Sequence, residues 1–539
     1  MIRNRSLLVA KLVVLLAWTS SCAPGIDPSV VPDTAADRSE SLRFAWQGDL
    51  TPMWHPSGYE TFSQAVIFFL VFNKLVRLGP NLATILPDLA ESWEVSPDAR
   101  IFTFRLRQNV HWHDGEPFTA RDVVFSFSRQ LLEPYRYVKY AGAIAGAESY
   151  EDGNSDRLEG LEALDDFTVR ITLRGPDVTF LQKLAEPSMV IMPAHLLAGI
   201  EPDAVQSASF TTTRPVGTGP FRFVKYLTDL YVELESNPDY FRGAPSIRKV
   251  YMKRLRPEVT VAQLESGELD LGMRLQLLDY DRLAELSHLE TTTRPGIGMI
   301  SVGFPLDRPV VQDRRLRQAI YCAIDRKLVA RTLFRGRAKP MEGIPLGMEP
   351  DARLDPYEYD LERAKRLLRA SGFDTATPLR LIYDQTYPSA AQIYPIIGQQ
   401  LRALGLRLEL HAMESTAYIA RRYEQRDTYE MSGSHGGAYG LGPQVTSTYF
   451  NCQRHDWQYG YTNCDLDRYF EEATATVDPD RRREIYFQAA RLLNRDLPIM
   501  PLWAPDEVHA RHRRLGGGFA LHRDARRTFG NVETWALNP

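Results

Sequence analysis

Pro87-Asp88-Leu89-Ala90-Glu91-Ser92-Trp93-Glu94-Val95-Ser96-Pro97-Asp98 is followed by Phe102-Thr103-Phe104-Arg105-Leu106-Arg107 and then by His113-Asp114-Gly115-Glu116-Pro117-Phe118-Thr119-Ala120-Arg121-Asp122-Val123-Val124-Phe125-Ser126. This stretch decides the fold. Alternation puts Phe102, Phe104 and Leu106 on one strand face, with Thr103, Arg105 and Arg107 opposite. Asp114-Gly115 marks a tight turn. Thr119 and Asp122 stand at capping-box spacing, and Val123, Phe127 and Leu131 recur at helical intervals. The prediction is strand, turn, capped helix.

Toward the N-terminus, Arg3 and Arg5 precede an apolar run from Leu7 to Trp18 that ends in Thr19-Ser20-Ser21-Cys22. This has the form of a secretory signal peptide, residues 1–21. The run is shorter than the about 20 apolar residues a stable span needs, and Lys11 interrupts it. Cys22 sits where a bacterial lipoprotein carries its diacylated cysteine; the alternative is an ordinary secreted protein with an incidental cysteine. Residues 22–40, rich in Pro, Ser, Asp and Ala without an apolar period, read as a disordered tether. No later apolar run is long enough to cross a membrane; Ala65 to Phe72 is the strongest.

With 539 residues, 44% hydrophobic and 11% aromatic, the chain can bury more than one core, so two or three domains are expected. A net charge of -4 with interspersed signs argues against nucleic acid, which needs a basic stripe to neutralise phosphates. Arg481-Arg482-Arg483 reads as a solvated helix face. In an oxidising compartment Cys452 and Cys464 can bridge a short loop, the alternative being two free thiols, while Cys322 lies in an apolar helix.

Before the opening stretch Ser41 to Trp46 reads as a strand and Gln64 to Val76 as an apolar helix, and after it Phe167 to Leu173 reads as another alternating strand. Pro215-Val216-Gly217-Thr218-Gly219-Pro220-Phe221 reads as a turn into a strand; a phosphate cradle would need the Lys-Ser/Thr of a P-loop. One long helix is expected from Asp313 to about Phe334, with Leu316, Ile320, Ile324 and Leu328 four apart. Leu361 to Ala370 is a further helix, and Asp478-Pro479 opens the last strong one.

The block from Pro87 to Arg129 resembles the hallmark of the peptide/nickel solute-binding proteins of ABC importers, extracellular solute-binding protein family 5. Asn237-Pro238-Asp239-Tyr240-Phe241, Leu264-Glu265-Ser266-Gly267-Glu268-Leu269-Asp270, Arg317-Gln318-Ala319-Ile320 and Ala323-Ile324-Asp325-Arg326 match further motifs of that family in order. The resemblance covers about 41 to 515. It implies an α/β, two-lobed periplasmic-binding-protein fold (class II, Venus-flytrap) with an extra α/β subdomain inserted in lobe I. Lobe I is placed at 41–78, 205–300 and 506–539, the insert at 79–204 and lobe II at 301–505. The crossings near Gly298 to Phe304 and Leu502 to Glu507 would form the hinge. A peptide-like or other small solute would hold the lobes closed for docking on an ABC permease with its ATPase subunits. No chemistry, no cofactor and no nucleic acid are implied; the chain would act as a monomer in the periplasm or on the outer face of the cytoplasmic membrane, lipid-anchored there.

Peptide-binding members carry a Gly-Trp pair, then an Asp, then a Pro in a loop, the Asp pairing with the peptide ammonium. Here Ser432-Gly433-Ser434-His435-Gly436-Gly437-Ala438-Tyr439-Gly440-Leu441-Gly442-Pro443 occupies that place, with Tyr439 where the Asp would stand and no carboxylate between Glu430 and Pro443. A buried ammonium without a carboxylate is costly, so either another acid reaches it or the ligand lacks a free amine there. His435 and Tyr439 suit a ligand read by backbone groups, aromatic stacking and an imidazole; a loop histidine bonded to backbone is the plain alternative for His435. Trp46, Trp54, His55, Asn451 and Trp457 are the other candidates for the cleft, each aromatic equally suited to core packing. His111-Trp112-His113-Asp114 has metal-ligand spacing, but the His-Asp-Gly segment belongs to a structural turn in the family, so no metal is assigned.

A secreted hydrolase would need a nucleophile with its base, paired carboxylates or a zinc motif, and none is legible. A sensor or receptor on the same fold is the remaining rival. Peptides, modified peptides, metal chelates and oligosaccharides stay open as ligands.

Overall fold

The structure, a computed structural model, describes residues 34–46, 54–56, 62–133, 140–296, 298–344, 346, 352–387, 389–436, 443, 446–447, 450, 452 and 459–538. The leader, Cys22, Tyr439, Asn451 and Trp457 lie outside the described residues. The expected tether is corrected at its end. Ala35–Glu40 is a helix capped by the Thr34 hydroxyl, which accepts from the Asp37 N–H at 3.1 Å. Asp37 holds the helix down by pairing with Arg43 at 3.0 Å and Lys249 at 3.1 Å.

The stretch that decides the fold forms its strand, turn and helix. Ile101–Leu106 buries Phe102, Phe104 and Leu106 and pairs antiparallel with Ala90–Val95 and Thr168–Thr172 in a four-stranded sheet that Leu161–Asp165 completes. The helix Ala120–Leu132 lays Val123, Phe127 and Leu131 into the same core. Its Asp122 carboxylate accepts from the Thr119 N–H at 3.0 Å, the Ala194 N–H at 3.0 Å and the Trp112 indole at 3.4 Å, so a helix cap also ties in a distant segment. His113 clamps the turn to the Gly217-Thr218-Gly219 segment: its Nδ1 accepts from the Gly217 N–H at 3.2 Å and its Nε2 donates to the Gly219 carbonyl at 3.0 Å. Loss of hydration lowers the His113 pKa to about 4, so the ring is neutral and this tautomer is held. Gly219 donates to the Val71 carbonyl at 2.9 Å, and a Cβ on Gly217 or Gly219 would overlap the Val71 backbone. That close approach of two main chains is what the glycines provide.

The largest sheet runs in the order Leu408–Met413, Leu379–Asp384, Met431–Gly436, Met299–Gly303, Ile499–His512, Leu271–Leu275, Ser41–Trp46, Lys249–Arg254, Tyr231–Ser236, Phe221–Leu227. Its long strand, Ile499–His512, serves both halves of the molecule. Residues 499–503 pair with Met299–Gly303, and residues 506–512 with Leu289–Pro295. Residues 499–503 and 508–510 are buried, whereas 504–507 are half-buried, where the strand leaves one core for the other. One core gathers Leu42, Phe44, Val66 to Phe72, Val232 and Val250; a second gathers Val302, Ile320, Leu381, Ile397 and Trp503. The molecule is α/β and two-lobed, with the four-stranded unit beside the first lobe.

The single long helix expected from Asp313 is two helices, Arg314–Cys322 and Arg326–Thr332. Asp325 caps the second by accepting from the Leu328 N–H at 2.8 Å. The Arg326 guanidinium takes up the carbonyls of Tyr321 and Ile324 at 2.7 and 3.2 Å, satisfying acceptors that the break exposes. Among the described residues no helix is long and apolar enough to cross a membrane.

Candidate functional site

A cavity of about 210 Å³ opens where the two halves meet. Arg274, Leu275, Leu277 and Glu507 line it from the first half, and Tyr387, Gln392 and His435 from the second. Met299, Ile300 and Phe334 supply apolar wall. Strand pairing brings these pieces together: His435 lies opposite Ile300 in the sheet, and Ile300 opposite Trp503 of the long strand.

His435 is stacked on Tyr387 with ring centroids 5.0 Å apart and planes 14° from parallel, and meets Tyr394 edge-on at 5.6 Å. The Tyr394 hydroxyl lies 3.4 Å from Nδ1, while Nε2 is buried without a hydrogen-bond partner among the described residues. Burial lowers the His435 pKa to about 4, with Asp384 opposing. The imidazole is therefore neutral, and with Tyr394 donating to Nδ1 its proton sits on Nε2. Tyr394 reaches this position because Gly433 has no side chain; a Cβ there would enter the phenol ring.

Across the cavity, Glu507 Oε1 accepts from Arg274 Nε at 3.1 Å. Glu507 Oε2 accepts no hydrogen bond among the described residues; its nearest ionisable neighbour is the buried His509, whose Nε2 lies 3.7 Å away. Burial raises the Glu507 pKa, against the pull of Arg274. Burial also raises that of Asp506, which lines the same cavity.

The other residues singled out by sequence go elsewhere. Trp54 is fully buried in the first core, against Phe223 at 5.5 Å and Tyr226 at 5.8 Å, and its indole donates to the Thr212 carbonyl at 3.3 Å. His55 is buried beside Glu133, with Nε2 3.4 Å from the carboxylate. Neither lines the cavity, a correction to their reading as cleft residues: Trp54 packs against Phe223 and Tyr226, and His55 against Phe210. Trp46 ends the strand Ser41–Trp46 opposite Arg254, and its side chain is outside the described set. Cys452 and Cys464 form a disulfide with Cα atoms 5.1 Å apart, and Cys322 is a buried thiol. Glu430, the acid before the loop, is already engaged by Arg380 Nε at 3.0 Å and by Arg308. Among the described residues His111, His113 and Asp114 form no metal-ligand cluster; Asp114 pairs with His195 at 2.9 Å.

Sequence reading missed Arg274, Tyr387, Gln392 and Glu507. Glu507 carried one signal, an acid at the end of an expected hinge crossing. Arg274 and Tyr387 carried none, since nothing local marks which surface residue another lobe will face.

The molecule is thus two-lobed and α/β, with a mixed polar and apolar cavity between its halves. Residues 84–457 match the model of bacterial extracellular solute-binding proteins, family 5 (middle region), and the chain belongs to that family. Membership makes it an extracytoplasmic protein that captures solutes. It is 29% identical to di/tripeptide-binding protein 2 of Pseudomonas aeruginosa, over 94% of this chain and 95% of that one. It is 27% identical to heme-binding protein A of Haemophilus influenzae, over 80% of this chain and 81% of that one. Among solved structures it is similar to the ABC transporter substrate-binding protein CtaP of Listeria monocytogenes, with a TM-score of 0.77, 26% identity and coverage of 93% and 99%.

Proposed function

We propose that this chain is the solute-binding component of an ABC importer and that its solute is small and peptide-like, held between the lobes and passed to a membrane permease. The observation that carries this reading is the cavity itself. It draws its walls from both halves, so a bound solute contacts both and favours the closed arrangement over the open one. Its volume of about 210 Å³ suits a solute of amino-acid to dipeptide size rather than a long peptide. The di/tripeptide-binding relative from Pseudomonas aeruginosa points the same way. The lobes proposed are 41–78, 205–300 and 506–539 for the first, 79–204 for its insert and 301–505 for the second, with the hinge near 298–304 and 502–507; the separate cores and the half-buried middle of the long strand support this division. Residues 1–21 are read as a leader, with Cys22 as the lipid attachment point of an otherwise soluble monomer, and binding as the whole of its work, with no catalysis.

The experiment is a thermal-shift screen of the mature protein with amino acids, di- and tripeptides, metal chelates and oligosaccharides, followed by calorimetry of the hits. Stabilisation by the small peptide-like class alone supports the reading. A response confined to chelates or sugars overturns it.

A further inference from the structure

Arg274 is a non-glycine residue with φ of +54° inside the strand Leu271–Leu275, at a place where pairing with the long strand slips out of register between Gly272 and Leu275. A left-handed arginine in a strand is strained, and such strain persists where the surroundings over-determine it, often at binding sites. Here the bulge carries Arg274 into the cavity, where its Nε bonds Glu507 Oε1 at 3.1 Å. The arginine occupies one oxygen of the carboxylate and orients the other. Glu507 is mostly buried at 14% exposure. Its Oε2, 3.7 Å from His509 Nε2, accepts no hydrogen bond among the described residues, and a carboxylate oxygen with an orienting cation on its far side is a ready acceptor for a charged donor.

Opposite stands His435, whose buried Nε2 has no partner among the described residues and whose ring is fixed by Tyr387 and Tyr394. The two walls thus offer complementary groups: an anionic acceptor on the first half, a neutral N–H donor and an aromatic face on the second. Leu277, Met299 and Phe334 close the remainder with apolar surface.

We propose that Glu507, positioned by Arg274, binds a cationic amine of the solute and that His435 Nε2 donates to a carbonyl or carboxylate of the same molecule, so that the site selects solutes with a free amine. This rests on the reading of the chain as a binder of small peptide-like solutes and names the group that such a solute must carry. Arg274 is a positioning residue; Glu507 is the one that touches ligand.

The test compares glycyl-leucine and free leucine, each beside its N-acetyl form, by calorimetry on the wild-type protein and on Glu507→Gln. One charge-assisted hydrogen bond gives roughly 10- to 100-fold preference for the free amine in the wild type. In Glu507→Gln, which keeps the shape and an acceptor but loses the charge, the preference falls close to unity while the N-acetyl forms bind as before. Circular dichroism and melting establish that the variant is folded; should it not fold, Arg274→Gln gives the second arm, in which the loss of orientation narrows the ratio. Equal wild-type affinity for free and acetylated forms, or an undiminished ratio in the variants, overturns the inference and leaves the peptide-like reading standing. Binding of neither pair overturns both.

Discussion

His509 and Glu507 stand two residues apart on the same face of the long strand. Glu507 looks into the cavity; His509 is 1% exposed, lies opposite Thr292, and neither of its ring nitrogens makes a hydrogen bond among the described residues. Burial, with Arg294 and Arg274 nearby, lowers its pKa from 6.5 to about 3. The unfolded chain therefore takes up the proton before the folded one does. The stability this represents is fully present above the unfolded value and is lost as the pH falls from 6.5 toward 3. By pH 5 the loss from this residue is about 2 kcal/mol. Urea unfolding of the ligand-free protein at pH 7.5 and 5 should show a drop that is smaller by about that amount in His509→Gln; an equal drop in both would mean that the ring is hydrated. Beside the other histidine of the site, Gly433→Ala should push Tyr394 off His435 and weaken solute binding by about tenfold or more, the order of one lost buried contact set, while the melting temperature of the first core is little changed. Calorimetry and differential scanning record the two effects separately.

Elements in this molecule are tied to one another through their ends. The helix Ala120–Leu132 is held by Asp122, which serves its own cap and also the N–H of Ala194, 72 residues on. Asp122→Ala removes the cap acceptor and strands a buried N–H and an indole. A loss of about 2–4 kcal/mol is expected, from a cap worth about 1 and an unsatisfied buried donor worth about 1–3, read as a lower urea midpoint with unchanged slope. Gly217→Ala acts more severely, because a methyl group there meets the Val71 carbonyl, main chain that cannot rotate away. It should yield little soluble protein, whereas Thr218→Ser, one residue on, should fold normally; failure of both would point to the loop's chemistry instead of its packing. The divided helix at 314–332 follows the same logic. Leu316, Ile320, Ile324 and Leu328 keep helical spacing across the break, but an aspartate able to cap and an arginine able to cover freed carbonyls make two short helices more favourable than one.

For the whole molecule, the continuous sheet makes the long strand the element that joins the halves, and the proposed closure would turn on it. Small-angle scattering should show a smaller radius of gyration with saturating solute than without it, and no change would remove closure from the account. The disulfide Cys452–Cys464 joins cysteines 12 residues apart in the chain. In the chain-entropy picture it contributes about 3 kcal/mol, so reduction should lower the melting temperature. The strand, turn and capped helix between Ile101 and Leu132 were legible because each depends on neighbours within a few residues, and so was the ordered set of motifs that marks the family. The cysteine pair stood close enough in sequence to be paired on paper. The break after Cys322 was not legible, since four-residue periodicity survives it. Nor was the site. Arg274 and Glu507 are 233 residues apart in the chain, and His435 meets Tyr387 only after two strands of one sheet have taken their register. Trp54 and His55 looked like cleft residues and are core, because sequence distinguishes an aromatic side chain but not the side of the backbone on which the cavity lies. Local periodicity and short-range capping thus determined single elements from sequence alone, and the resemblance of the ordered motifs to family 5 implied the fold class. The cavity was decided by tertiary structure, because its walls come from segments that long-range strand pairing alone brings together.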